Sequence, residues 1–150
     1  MATSPKPAPH LVIDLAVDTS ALTAVLLGEP EAAAILHRLA AATRPGLCAP
    51  NRTELLLVIQ SRLGDPGVER TKQFMRMQRI RTIPLDEAMA DAAADAYRRF
   101  GKGRHPAGLN FGDCFSYALA IRAQAPLLYK GDDFAQTDVQ SAAPRAANQT

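Results

Sequence analysis

Cysteine is scarce, occurring twice in 150 residues. Cys48 and Cys114 cannot build a disulfide framework, and neither lies in a CxxC or Cys/His cluster of the kind that binds zinc. A reducing compartment, the cytoplasm, is therefore expected. Long apolar runs are also missing: none approaches the ~20 residues that a bilayer requires. The first residues, MATSPKPAPH, are polar and proline-rich, and Asp14 and Asp18 break the apolar run that follows, so no secretory signal is read here. Nor is one sign of charge in excess. The 17 Lys and Arg against 15 Asp and Glu leave +2, which excludes a strongly basic nucleic-acid coat but not a local basic groove. What is present is 47% apolar residues, enough for one globular domain that buries roughly 70% of its unfolded-chain surface.

Residues 1–10 read as a flexible leader and 141–150 as a flexible tail, leaving one domain over 11–140 with no internal repeat. Leu11 to Val17 reads as a buried strand bounded by Asp18. Asp18-Thr19-Ser20 then offers N-cap side chains to a helix over Ala21 to Leu27 that stops at Gly28. Glu29-Pro30 opens a second helix, ended by Pro45-Gly46, and Leu47 to Ala49 is a short strand. The loop Gly64-Asp65-Pro66-Gly67 separates a helix over Asn51 to Leu63 from another over Val68 to Arg79. Arg81 to Ile83 is an edge strand. Asp86 to Phe100 is helical with Gly101 at C′, Gly103 to Gly108 is a loop, Asn110 to Ala123 is helical, and Pro126 to Tyr129 is a buried strand. Short strands alternating with helices predict an α/β three-layer sandwich, its central sheet mostly parallel and flanked by helices.

Most acids fall on helix surfaces, where Glu31, Glu69, Glu87, Asp91 and Asp95 read as solvated. Others sit differently. Asp18 follows Leu15-Ala16-Val17, and Asp132 and Asp133 follow Pro126–Tyr129; in open parallel sheets, ligands bind beyond the carboxyl ends of the strands. Glu54 stands beside Leu55-Leu56-Leu57 in an apolar helix, and Asp113 lies in the first turn of the helix that continues through Cys114 to Ala120. Each has an ordinary explanation. Asp18 serves as an N-cap worth ~1 kcal/mol, and Asp113 as a favourable charge at a helix N-terminus worth ~0.3–1 kcal/mol. Converging carboxylates would repel instead, by about 4 kcal/mol for a pair 4 Å apart at an effective dielectric of ~20. Divalent cations relieve such repulsion. Oxygen-only donors select Mg²⁺ or Mn²⁺ over zinc, and these ions serve phosphodiester hydrolysis by activating water and stabilising the leaving oxygen.

The segments Val17-Asp18-Thr19-Ser20-Ala21-Leu22 and Leu26-Leu27-Gly28-Glu29-Pro30-Glu31 are followed in order by Thr53-Glu54-Leu55, by Leu109-Asn110-Phe111-Gly112-Asp113-Cys114, and by Leu128-Tyr129-Lys130-Gly131-Asp132-Asp133-Phe134 running on to Val139. Together they resemble PIN-domain proteins of the VapC toxin type, over roughly residues 12–140. Any one piece recurs by chance; all in order, at the expected spacing, are specific. The resemblance implies a PIN fold with an acidic pocket for Mg²⁺ or Mn²⁺. It also implies an endoribonuclease toxin that cuts tRNA or rRNA and so inhibits translation. Implied partners are RNA and a cognate antitoxin protein, in homodimers or hetero-oligomers, with no membrane. By position, Asp18, Glu54 and Asp113 are the core acids and the fourth is Asp133 or Asp132; Asp133 is favoured, as the acid immediately before the Phe in the family's G-x-D-F form. Thr19, Ser20 and Asn110 would support the site by hydrogen bonding. Asn51-Arg52 depart from the small or apolar residues usual there, so Arg52 is expected near Glu54 or against RNA.

Lys102 and Arg104, preceded by Arg98 and Arg99, are either a solvated stretch or an RNA-phosphate rim. Arg70, Lys72, Arg76, Arg79 and Arg81 read as an exposed face. His105 is a poor candidate for general base, since metal-bound water needs no histidine. Phe111, Phe115, Tyr117 and Phe134 read as core, and the cysteines as structural. Two other classes compete: a PIN-like module that binds RNA or protein without catalysis, and a DNA-directed metal nuclease. An intact set of acids argues against the first, and DNA offered beside RNA separates the second.

Overall fold

The computed structural model describes residues 8–142, so most of the expected leader (1–7) and tail (143–150) lies outside the described residues. A parallel sheet of four strands, in the order β3-β2-β1-β4, divides the molecule. β1 (Leu15–Val17) is central, paired with β2 (Pro45–Cys48) and β4 (Leu127–Leu128), and β3 (Arg81–Ile83) lies outside β2 as the expected edge strand. Successive side chains point to opposite faces of a strand. Leu15, Val17, Leu47 and Leu128 join a core built with α1 (Thr19–Leu26), α2 (Ala32–Ala41) and α3 (Ala49–Met77). Ala16, Cys48, Ile83 and Leu127 join a second core, built with α4 (Glu87–Phe100) and α5 (Phe111–Ala123). The expected three-layer α/β sandwich is therefore present. α5 is buried at every position from Gly112 to Ala120, so any polar side chain on that stretch must find a partner inside the protein.

The boundaries differ from the sequence reading for local reasons. β1 is shorter than Leu11–Val17, because Pro9–Leu11 forms a 3₁₀ turn. Asp14 separates the two: its carboxylate accepts the backbone N–H groups of Thr43 and Arg44 at 2.6 and 2.7 Å. Leu11 and Ile13 still bury their side chains in the α4–α5 core. Pro45-Gly46 does not end a helix but opens β2, α2 having stopped at Ala41. The two helices expected around Gly64–Gly67 abut instead of being joined by a loop, the change of direction being absorbed by Gly64 alone (φ 67°, ψ −168°). Gly101 is extended (φ −67°), not left-handed. It is needed for close approach, since a Cβ there would lie 2.3 Å from the Tyr97 carbonyl oxygen. The start of the expected tail is paired: Leu127 donates to the Gln140 carbonyl and Ala142 donates to the Leu127 carbonyl, each at 2.8 Å, which covers the outer edge of β4. No helix among the described residues is long and apolar enough to cross a membrane.

α1, α3 and α5 begin at the same edge of the sheet and are braced there. Thr19 Oγ1 donates to the Asn51 carbonyl at 3.2 Å, and the fully buried Asn51 donates through Nδ2 to the Gly112 carbonyl at 2.9 Å. Deleting one partner of a buried hydrogen bond costs about 1–3 kcal/mol. Asn51→Ala should therefore lower the unfolding free energy by that amount, seen as a lower urea midpoint at constant m-value; a wild-type midpoint would show that the brace carries no stability.

Candidate active site

β1 ends at Val17 and delivers Asp18 to the carboxyl edge of the sheet. Asp18 is an N-cap, as expected, accepting the Ser20 N–H on Oδ2 at 3.0 Å. Its other oxygen accepts the Ser116 hydroxyl from α5 at 2.5 Å, and the residue is 3% exposed. Asn110 and Asp113 form a reciprocal capping box at the start of α5: the Asp113 N–H donates to Asn110 Oδ1 at 2.9 Å and the Asn110 N–H to Asp113 Oδ2 at 3.1 Å. Glu54, in the second turn of α3, lays its carboxylate against Gly112, where an added Cβ would come within 2.4 Å of Oε2. Asp133 opens a 3₁₀ turn (Asp133–Gln136) after β4. These four segments meet. Asp18, Glu54, Asp113 and Asp133 line one cleft of about 330 Å³, together with Thr19, Ser20 and Asn110. Asp132 is exposed and outside the lining, so Asp133 is the acid that β4 brings to the cleft.

The acids sense one another. Burial pushes the Asp113 carboxyl up to about 7; the Asn110 N–H opposes the shift, and the charges of Asp18, Asp133 and Glu54 add to it. Burial also raises Asp18, opposed by the hydrogen bonds from Ser116 and Ser20 and reinforced by Glu54. Among the described residues, no group of three carboxylate, His or Cys side chains is arranged to hold a metal ion as it stands; the acids face a common space without closing on a point. The chemistry of the set fits a hard cation: among the described residues every charged acceptor of the cleft is a carboxylate, and neither His nor Cys lines it.

Other candidates lie elsewhere. Arg52 Nη1 donates to Thr82 Oγ1 of β3 at 3.2 Å, and the residue neither pairs with Glu54 nor lines the cleft. Lys102 and Arg104 are exposed outside the lining, with Arg104 5.9 Å from the centre of the Tyr97 ring. Arg98 pairs with Asp95 at 2.7 Å, and Arg99 reaches Tyr117 and Asp138. Phe115, Tyr117 and Phe134 are core as expected, but Phe111, at the first position of α5, is 77% exposed, its ring packed edge-to-face with Phe115 at 4.9 Å between centroids. Glu31 is half-buried rather than solvated, 3.5 Å from Lys130 Nζ. Sequence reasoning missed Ser116, Gly112, Glu29 and Lys130. Ser116 was findable, because its three-residue spacing from Asp113 places both on one helix face.

The PIN domain family matches residues 15–140. A Ribonuclease VapC of Mycolicibacterium smegmatis is 44% identical over 125 residues, which cover 83% of this chain and 97% of that protein. The chain belongs to the PIN domain family. Ribonuclease VapC28 of Mycobacterium tuberculosis is 45% identical over 131 residues, covering 86% of this PIN domain chain and 98% of its own length. Among solved structures, Mycobacterium tuberculosis VapC20, described as a sarcin-ricin loop cleaving toxin, has a TM-score of 0.72 at 14% identity, over 87% of this chain and 99% of that one. A toxin–antitoxin complex from Klebsiella pneumoniae has a TM-score of 0.61 at 17% identity, over 87% and 95%. At these identities the likeness speaks for the fold, and it agrees with the PIN architecture expected from the sequence.

Burial disfavours the charged forms of two acids in this PIN domain, Asp18 and Asp113. Asp113 has its proton affinity raised from 3.8 to about 7 on folding, so the folded state holds the extra proton between those values. Its contribution is most favourable below pH 4 and is lost as pH rises through 7. In metal-free buffer, Asp113→Asn should therefore melt above wild type at pH 8, with the gap closing on titration toward pH 4. A gap that stays constant or widens in acid would refute the buried-charge account.

Proposed function

We propose that this PIN domain is a divalent-metal-dependent endoribonuclease, the toxin of a toxin–antitoxin pair, with Asp18, Glu54, Asp113 and Asp133 as its catalytic acids. The observation that carries the reading is the convergence of these acids, from four separated stretches of chain, on one cleft at the carboxyl edge of the sheet. Relatives that bear the name ribonuclease favour RNA over DNA as substrate. Asp18, Asp113 and Asp133 would hold Mg²⁺ or Mn²⁺, with Asp132 outside the cleft. Bound there, the ion supplies the charge that activates water and stabilises the leaving oxygen of a phosphodiester.

The protein's own contribution is to fix the donors. Ser20 and Ser116 occupy one oxygen each of Asp18, Asn110 orients Asp113, Thr19 ties α1 to α3, and Gly112 leaves room for the Glu54 carboxylate. Lys102 and Arg104, on the loop leading into Asn110, are free to form an outer rim for RNA phosphates. Phe111 and Leu57 are exposed apolar side chains that flank one groove beside the cleft, a surface suited to a protein partner such as an antitoxin. On this reading, cutting tRNA or rRNA would take place in the cytoplasm, where those RNAs are.

The test is to offer the purified chain total tRNA, ribosomal RNA and DNA in parallel, with Mg²⁺, Mn²⁺ or EDTA. RNA should be cut only with a divalent ion and DNA left intact. Replacing even an outer-shell partner of a metal site costs up to about 100-fold, so Asp18→Asn and Asp113→Asn should each lose more than that. Cleavage that persists in EDTA or in both variants overturns the reading. Gly112→Ala probes geometry alone. Alanine is the better helix former by about 0.5–1 kcal/mol, so the midpoint should hold or rise. The new methyl group displaces the Glu54 carboxylate, and a misplacement of about 1 Å costs activity on the order of 100-fold.

A further inference from the structure

Among the described residues, Lys130 is the one cation that lines the acid cleft. Its place is set by the backbone: its N–H donates to Ser20 Oγ at 3.0 Å, two residues from Asp18. Its ammonium does not neutralise the catalytic acids. It pairs with Glu29 and lies 3.5 Å from Glu31, both in the connection between α1 and α2. All three side chains are partly exposed, and ion pairs of that kind contribute only about 0–1 kcal/mol. Such a pairing exchanges readily for another anion. A lysine is a compact point charge on a flexible stem, suited to following a phosphate rather than gripping it in one geometry. Glu29 also lines the cleft, so the exchange needs only a rotation of the lysine side chain within the same space.

We propose that Lys130 is a substrate-binding residue, stored against Glu29 and Glu31 in the free protein and transferred to a backbone phosphate of the RNA when the cleft fills. The inference rests on the endoribonuclease reading and adds to it a contact and a competitor. A phosphate bound by Lys130 releases it from two carboxylates, so Glu29 and Glu31 oppose RNA binding and set its salt dependence. Each phosphate contact to a single strand contributes about 0.7 to the slope of log affinity against log salt.

The experiment measures KM and kcat against KCl concentration, on whichever of total tRNA or ribosomal RNA the wild-type chain cuts. Lys130→Met should raise KM several-fold and make the salt dependence of log kcat/KM shallower by about 0.7. Lys130→Arg should keep the wild-type slope, and Glu29→Gln, which leaves only Glu31 to hold the lysine, should lower KM. Mn²⁺ affinity measured by calorimetry should match wild type in Lys130→Met. A Lys130→Met enzyme with wild-type KM and slope overturns the proposal. So does a loss confined to kcat or to Mn²⁺ affinity, or a Glu29→Gln enzyme that weakens in parallel with Lys130→Met. A wild-type chain that cuts no RNA condemns instead the reading of the cleft itself.

Discussion

The carboxylate of Asp18 sits where β1 ends, α1 begins and α5 passes behind, and all of these meet through it. Its oxygens take the Ser20 N–H and the Ser116 hydroxyl, while its own backbone N–H donates to the Leu128 carbonyl of β4 at 2.9 Å. A buried polar group is costly unless it is hydrogen-bonded, so these elements must hold their relative positions to keep both Asp18 oxygens partnered. The rest of the cleft inherits that registration. Asp113 stands one turn before Ser116 on α5, Glu54 lies against Gly112 of the same helix, and Lys130 is anchored to Ser20.

The arrangement sets chemistry against stability. Burial and mutual repulsion raise the Asp113 carboxyl, and the two apolar cores must outweigh that cost. Local devices reduce it. α1 and α5 both start at the cleft, so the positive ends of their backbone dipoles face the acids, and each start is capped by a site residue. The same side chains thus serve as helix caps and as candidate metal donors. The ordinary and the functional explanations of Asp18 and Asp113 are compatible: both carboxylates serve in helix caps and both line the cleft.

The end of β1 and the cap of α1 were legible because their chemistry is local: an apolar run followed by Asp-Thr-Ser says where a strand stops and a helix starts. The layer order followed from the alternation of strand and helix. Several features were not legible, each because it depends on direction rather than identity. Phe111 is a large apolar residue like Phe115, yet at the first position of α5 it stays outside both cores, 77% exposed. The basic residues from Arg98 to Arg104 stand close to Asp113 in sequence but outside the cleft, whereas Lys130, an isolated charge, lies inside it. Leu11 and Ile13 belong to the core without belonging to the sheet, because Asp14 binds the loop ahead of β2 first. A Gly-Asp-Pro-Gly sequence reads as a loop, although one left-handed glycine suffices to bend α3.

The acids of the cleft are widely spaced along the chain, with Asp133 and the neighbouring Lys130 arriving last, and the edge of β4 that delivers them is closed only by residues 140–142. Shortening the polypeptide before residue 127 would therefore remove the fourth acid, the lysine of the cleft and the strand that flanks β1 in a single step.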